Sequence, residues 1–290
     1  MVMTHATTAD LVAVAVASGS AVPAFNVITL EHAEAVATGA EAANTPVLLQ
    51  VSENAVRFHG GRMAPVLAAC SEIARQSAVP MAVHLDHFTD PELIATAIDA
   101  SHRFAVSSIM VDAAHLPYES NTEQTRRVAD AAHAAGLWVE AELGEIGGKR
   151  GAHASGARTD PAEATDFVGR TGVDALAVAV GSTHAMTSRD ADLDLGLTAR
   201  LAAAVPVPLV LHGGSGVSDD VLHAAVSAGI RKLNVGTALN IAFTGAVRAR
   251  LAADDAATDP RGYLDPARTA MADRVAELCR VVSGRQEARR

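Results

Sequence analysis

PMAVHLDHFTDPELIATAIDA, residues 80–100, reads as one complete strand-and-helix unit. Residues 81–85 form an apolar run without alternation, which ends in Asp86 and His87. Asp90 and Pro91 then open a helical stretch that runs to Ala100, because proline's missing N–H costs nothing in a first turn. Similar apolar runs recur at 22–27, 47–51, 107–111, 138–143, 175–180, 208–211 and 231–235. Stretches with periodic Ala and Leu lie between them at 30–43, 63–76, 122–135, 161–169 and 190–204. Asp160–Pro161 repeats the helix-start signal, while Gly136 and Gly172 read as helix stops before strands. Strands that do not alternate, interleaved with helices, indicate a parallel sheet covered on both faces. Eight evenly spaced units fit a closed (β/α)8 TIM barrel of the α/β class better than an open doubly wound sheet. Residues 254–265 read as a polar loop and 266–283 as a C-terminal helical extension, so the expectation is a single domain over 1–290.

Composition narrows the function classes. Hydrophobic residues make up 49% of the 290, which supports a packed core and excludes disorder. A formal charge of −10 argues against a nucleic-acid surface, and the only basic cluster is the tail Arg285, Arg289, Arg290. Two cysteines, Cys70 and Cys279, fit a reduced cytoplasmic protein without a disulfide framework. The first residues read as an amphipathic helix, with a signal peptide as the weaker alternative, and no uninterrupted apolar run suits a membrane span.

The ends of the eight runs carry the chemistry. In a barrel, side chains at strand C-termini converge on one mouth. These ends are Asn26, Gln50 with Ser52, Asp86 with His87, Asp112, Glu142, His184, His212 and Asn234. Three imidazoles (His87, His184 and His212) suit a catalytic zinc with one open coordination position. Asp86 beside the first is the candidate general acid/base, or else a carboxylate that orients a ligand. Asp112 and Glu142 are expected near the metal, where they bind a second divalent ion, orient a histidine or pair with arginine. His84 is expected to face another way than His87. His5, His32, His59, His102, His133 and His223 read as packing residues. Gly213, Gly214 and Ser215, with the NVGT turn at 234–237, suit phosphate capture after the seventh and eighth strands. Lys232 is two residues from Asn234, a spacing compatible with a shared inward face, but nothing in the sequence marks it as an activated Schiff-base lysine.

Taken in order, VPAFNV at 22, QVSE at 50, HLDH at 84, DAAHLPYESN at 112, VEAELGEIGG at 139, VLHGGSGV at 210, KLNVGT at 232 and DPRGYLDPAR at 259 resemble the class II, zinc-dependent ketose-bisphosphate aldolases. The similarity is to the subgroup of fructose- and tagatose-bisphosphate enzymes, and it spans nearly the whole chain. It implies cleavage of a ketose 1,6-bisphosphate to dihydroxyacetone phosphate and an aldehyde. By the same resemblance, His87, His184 and His212 hold zinc, and Asp86 exchanges the proton of the C4 hydroxyl. Asn234 binds the dihydroxyacetone portion. Gly181, Gly213, Gly214, Ser215 and Thr237 hold its phosphate, alongside a monovalent cation. Arg268 is expected to reach a neighbouring subunit's substrate, in a homodimer or homotetramer.

Three departures accompany the resemblance. The family's acidic pair after the loop glycines is replaced: Gly147 and Gly148 lead into Lys149, Arg150 and Gly151. A guanidinium cannot serve as a base at neutral pH, which leaves Glu145 or His153 as substitutes. Ala185 stands where the family has glycine, and Ala113 with Ala114 where it has Gly-Ser. The alternatives are an aldolase-like metalloenzyme for another phosphorylated or acidic substrate, or a weakly active sugar-phosphate-binding homologue.

Overall fold

A computed structural model describes residues 6–144 and 158–283. Within them, eight parallel strands close into a barrel in chain order, with the last bonded to the first. The strands are β1 (Val22–Asn26), β2 (Val47–Ser52), β3 (Met81–Phe88), β4 (Val106–Val111), β5 (Trp138–Leu143), β6 (Ala175–Val178), β7 (Leu209–Leu211) and β8 (Ile230–Val235). The helices are α1 (Thr8–Ser18), α2 (Leu30–Ala42), α3 (Glu53–Phe58), α4 (Met63–Gln76), α5 (Pro91–Ala100) and α6 (Tyr118–Ala134). They continue with α7 (Pro161–Thr171), α8 (Leu195–Ala204), α9 (Asp219–Ser227), α10 (Thr237–Ala253) and α11 (Arg261–Val282). The α/β barrel expected from the sequence is therefore the fold. No described helix is long and apolar enough to cross a membrane.

Local signals explain most boundaries. The Asp90 side chain accepts from the N–H groups of Glu92 (2.9 Å) and Leu93 (3.3 Å), and Asp160 does the same for Ala162 (2.8 Å) and Glu163 (3.0 Å). Gly172 ends α7 with φ 69°, a conformation that favours glycine. Three starts differ from the sequence reading, among them α6, which begins at Tyr118 and not at residue 122. The helix expected from residue 190 begins at Leu195, because Asp194 caps it by accepting from the Leu197 N–H at 2.7 Å. Pro266 does not open the last helix but lies inside it, so the loop expected to reach 265 ends earlier. Asp259 accepts from the Arg261 N–H at 3.0 Å, and Leu264 donates to the Pro260 carbonyl at 2.8 Å, which starts α11 sooner.

The barrel interior changes character along its axis. At the N-terminal end, Leu11, Val12 and Ala15 of α1 pack on Val22, Ala24, Leu48 and Ala82, sealing that end with apolar surface. Above them lies a buried polar layer of Gln50, His84, Ser108, Glu140 and Lys232. Strand register sets Gln50 beside His84 and His84 beside Ser108. One step further up each strand, by the period-two rule, come Ser52, Asp86, Glu142 and Asn234 at the mouth. Outward-facing residues such as Phe25, Leu49, Leu85, Ile109 and Leu233 join the helices in a separate core. Cys70 and Cys279 lie in that core with their thiols pushed up to about 12 by burial.

α11 packs closely on α2. A Cβ at Gly39 would meet the Ala272 carbonyl oxygen at 2.3 Å and Val275 Cβ at 2.6 Å. Gly39→Ala is expected to lower stability by about 1–3 kcal/mol despite alanine's better helix propensity, as overpacking does. Urea denaturation checks this.

Candidate active site

Strand alternation alone would turn Asp86 inward and His87 out toward the helices. His87 instead adopts φ 53°, and the pairing of β3 with β4 slips between Leu85 and Phe88. This bulge brings the His87 ring back to the mouth and sends Phe88 into the outer core. Asp86 and His87 therefore both face the cavity, with Oδ1 and Nε2 separated by 3.8 Å. The ring of His87 lies 5.0 Å from that of His184 and 4.7 Å from that of His212, centroid to centroid. His184 and His212 are 5.5 Å apart.

One ligand atom each from His87, His184, His212 and Glu142 lies within 4.8 Å of the others. Three imidazoles and one carboxylate form a donor set suited to zinc. Further carboxylates orient the rings: Asp112 Oδ2 is 2.8 Å from His87 Nδ1, and Glu140 Oε1 is 2.9 Å from His212 Nε2. Such contacts hold a ligating ring in one orientation. His212 Nδ1 faces Glu142 Oε2 at 3.1 Å. Burial opposes charging His212, but hydrogen bonds to Glu140 and Glu142 outweigh it and lift its pKa to about 9. Metal binding at this nitrogen would displace a proton.

Asp86 lies between two amides. Asn26 Nδ2 donates to its Oδ2 at 3.0 Å, and Asn234 Nδ2 to its Oδ1 at 3.4 Å. Burial alone would raise its pKa, but nearby His87, His212 and Lys232 hold it below the ordinary carboxylate value. Beneath, Lys232 Nζ is 2.8 Å from Glu140 Oε2, and neither side chain has exposed surface. Glu140 is held well below its usual range: burial opposes this, but the Lys232 charge and the His212 hydrogen bond prevail. His84 donates to or accepts from Ser108 Oγ at 2.8 Å; burial, aided by Lys232, pushes its pKa down to about 3, so it is neutral.

The matching family model, Fructose-bisphosphate aldolase class-II, covers residues 6–287. The chain belongs to the class II fructose-bisphosphate aldolase family. Among solved structures, the YdjI aldolase from Escherichia coli K12 is 31% identical with a TM-score of 0.82, over 96% of this chain and 97% of that one. A candidate fructose-1,6-bisphosphate aldolase from Coccidioides immitis is 28% identical with a TM-score of 0.84, over 95% and 96%. The fructose-bisphosphate aldolase from Campylobacter jejuni, at 24% identity, shares the fold with a TM-score of 0.79, over 95% and 93%.

The mouth of this aldolase opens into a cavity of about 600 Å³. Asn26, Gln50, Ser52, Asp86, His87, Asp112, His184, Gly213, Ser215, Asn234 and Thr237 line it. Ser215 Oγ accepts from the Ala238 N–H at 3.0 Å, tying the β7 loop to the start of α10. Gly181 and Gly214 do not line the cavity but allow close packing behind it. A Cβ at Gly181 would meet the Asp192 carbonyl at 2.2 Å, and one at Gly214 would meet Leu233 Cδ1 at 2.5 Å. Arg268 lies apart from the cavity residues, pairing with Glu34 at 2.6 Å and Asp265 at 2.9 Å. Glu145, Gly147, Gly148, Lys149, Arg150, Gly151 and His153 lie outside the described residues.

Two acidic residues were missed in the sequence. Glu140 shares a strand face with Glu142, a relation that the period-two pattern of VEAEL contained. Glu53 accepts from the N–H groups of Thr89 (2.7 Å) and Asp90 (2.8 Å) and so holds the chain just after His87.

Removing the Asp112 carboxylate should free the His87 ring. Asp112→Asn is expected to weaken divalent-metal binding at this cluster about 10- to 100-fold, read by competition with a chromophoric chelator. Ala185, which lines the cavity, has φ 58°. Since this conformation strains any residue with a Cβ, Ala185→Gly is expected to raise stability by up to about 1 kcal/mol in chemical denaturation.

Proposed function

We propose that this aldolase is zinc-dependent and reversibly cleaves a ketose 1,6-bisphosphate of fructose or tagatose type. The products are dihydroxyacetone phosphate and an aldehyde. The observation that carries this reading is the group His87, His184, His212 and Glu142, all within 4.8 Å, beside the buried carboxylate of Asp86. Zinc held there supplies Lewis acidity toward the substrate's ketone oxygen. His87, His184 and His212 would be its ligands, with Glu142 as a further carboxylate donor beside them.

In cleavage, Asp86 takes the proton of the C4 hydroxyl, C4 becomes the aldehyde carbon, and the C3–C4 electron pair stays with C3. In condensation Asp86 returns that proton. C3 must receive a proton before dihydroxyacetone phosphate leaves, and Glu145 and His153 are the candidate donors. The Asn234 amide binds the dihydroxyacetone portion. Gly213, Ser215 and Thr237 suit its phosphate because the first turn of α10 opens on the cavity there. A cytoplasmic homo-oligomer completes the reading.

The test is release of dihydroxyacetone phosphate from a panel of ketose 1,6-bisphosphate diastereomers, using protein stripped by chelator and reloaded with zinc. Activity is expected to vanish on stripping and return on reloading. Asp86→Asn is expected to lower kcat about 10²- to 10⁴-fold while the protein still binds zinc. No three-carbon product from any member of the panel, with zinc bound, would overturn the proposal.

A further inference from the structure

Lysine is rare in this chain, and Lys232 is the only one within the described residues. It has no exposed surface. An ammonium carries three N–H donors and no acceptor, so any amide atom that it binds must be the oxygen. It donates to Asn234 Oδ1 at 2.7 Å and to Gln50 Oε1 at 3.4 Å, and forms an ion pair with Glu140 Oε2 at 2.8 Å.

The consequence propagates. With its oxygen taken by Lys232, Asn234 turns its NH2 to Asp86 Oδ1. With its oxygen taken likewise, Gln50 donates its NH2 to Asn26 Oδ1 at 3.2 Å. Asn26 must then turn its own NH2 to Asp86 Oδ2. Either orientation of an isolated amide is nearly equal in shape, so only the network decides between them. Here a single cation starts both relays, and both end on the same carboxylate.

We infer that Lys232 is a positioning residue whose ammonium fixes the orientation of the Asn234, Gln50 and Asn26 amides, so that their donors converge on Asp86. It acts through other side chains and forms no bond to substrate. The kinetic part of the test rests on the aldolase reading above; the spectroscopic part does not.

Lys232→Met alone leaves Glu140 buried and unpaired, which can unfold the protein, so the deciding variant is Lys232→Met with Glu140→Gln. Removing both charges leaves no lone ion, and the introduced glutamine amide still offers His212 an acceptor. In zinc-loaded wild type, the three side-chain NH2 groups are expected as distinct, exchange-protected signals in ¹⁵N NMR. In the folded double variant these signals are expected to broaden or lose protection. At the same time kcat, measured with zinc saturating, is expected to fall about 10- to 100-fold. A folded double variant with wild-type amide protection and wild-type kcat would overturn the inference. If wild type shows no aldol cleavage at all, the amide signals alone decide it.

Discussion

A lysine ammonium sealed at the axis of the barrel is the constraint around which the mouth is organised. Burying such a charge costs several kcal/mol unless it is paired and its remaining hydrogens are accepted. Glu140 supplies the countercharge, and Asn234 and Gln50 accept hydrogen bonds from the ammonium. Glu140 also contacts His212, so the histidine cluster and Asp86 stand on one ionic floor. Below it, α1 closes the barrel with apolar residues, and Thr8 reaches Ser108 at 2.6 Å, which in turn meets His84. Water is kept from the floor from below, which strengthens every electrostatic contact above it.

Much of this architecture was legible because its signals are local. Apolar runs without alternation marked buried parallel strands, Asp-Pro pairs marked helix starts, and strand ends nominated the residues that gather at the mouth. What was not legible depends on partners distant in sequence or on conformations without a residue signature. Lys232 could be assigned an inward face from its spacing to Asn234, but nothing near it in the sequence announced Glu140. The pairing of Arg268 with Glu34, far away in the sequence, likewise had no local signal. Proline at 266 was read as a start, although in the structure the preceding Asp259–Pro260 turn opens the helix earlier.

The class II aldolase family supplies the context in which substitutions acquire meaning. Ala185 keeps the left-handed backbone that suits the glycine usual in the family, at a strain of about 1–2 kcal/mol. The loop shape beside His184 is thus held by its surroundings, not by the preference of the residue within it. Glu53 plays a comparable part on the other side, where two backbone N–H groups fix the exit from β3.

The bulge at His87 has a mechanical corollary. Asp86 and His87 are joined by one peptide unit, which sets their Cα atoms about 3.8 Å apart whatever the barrel does. Thermal breathing that shifts β3 carries both groups together, whereas distances to His184 and His212 must absorb the fluctuation. The spacing of these two backbone positions is in that sense covalent, whereas every other spacing round the mouth rests on strand pairing and packing.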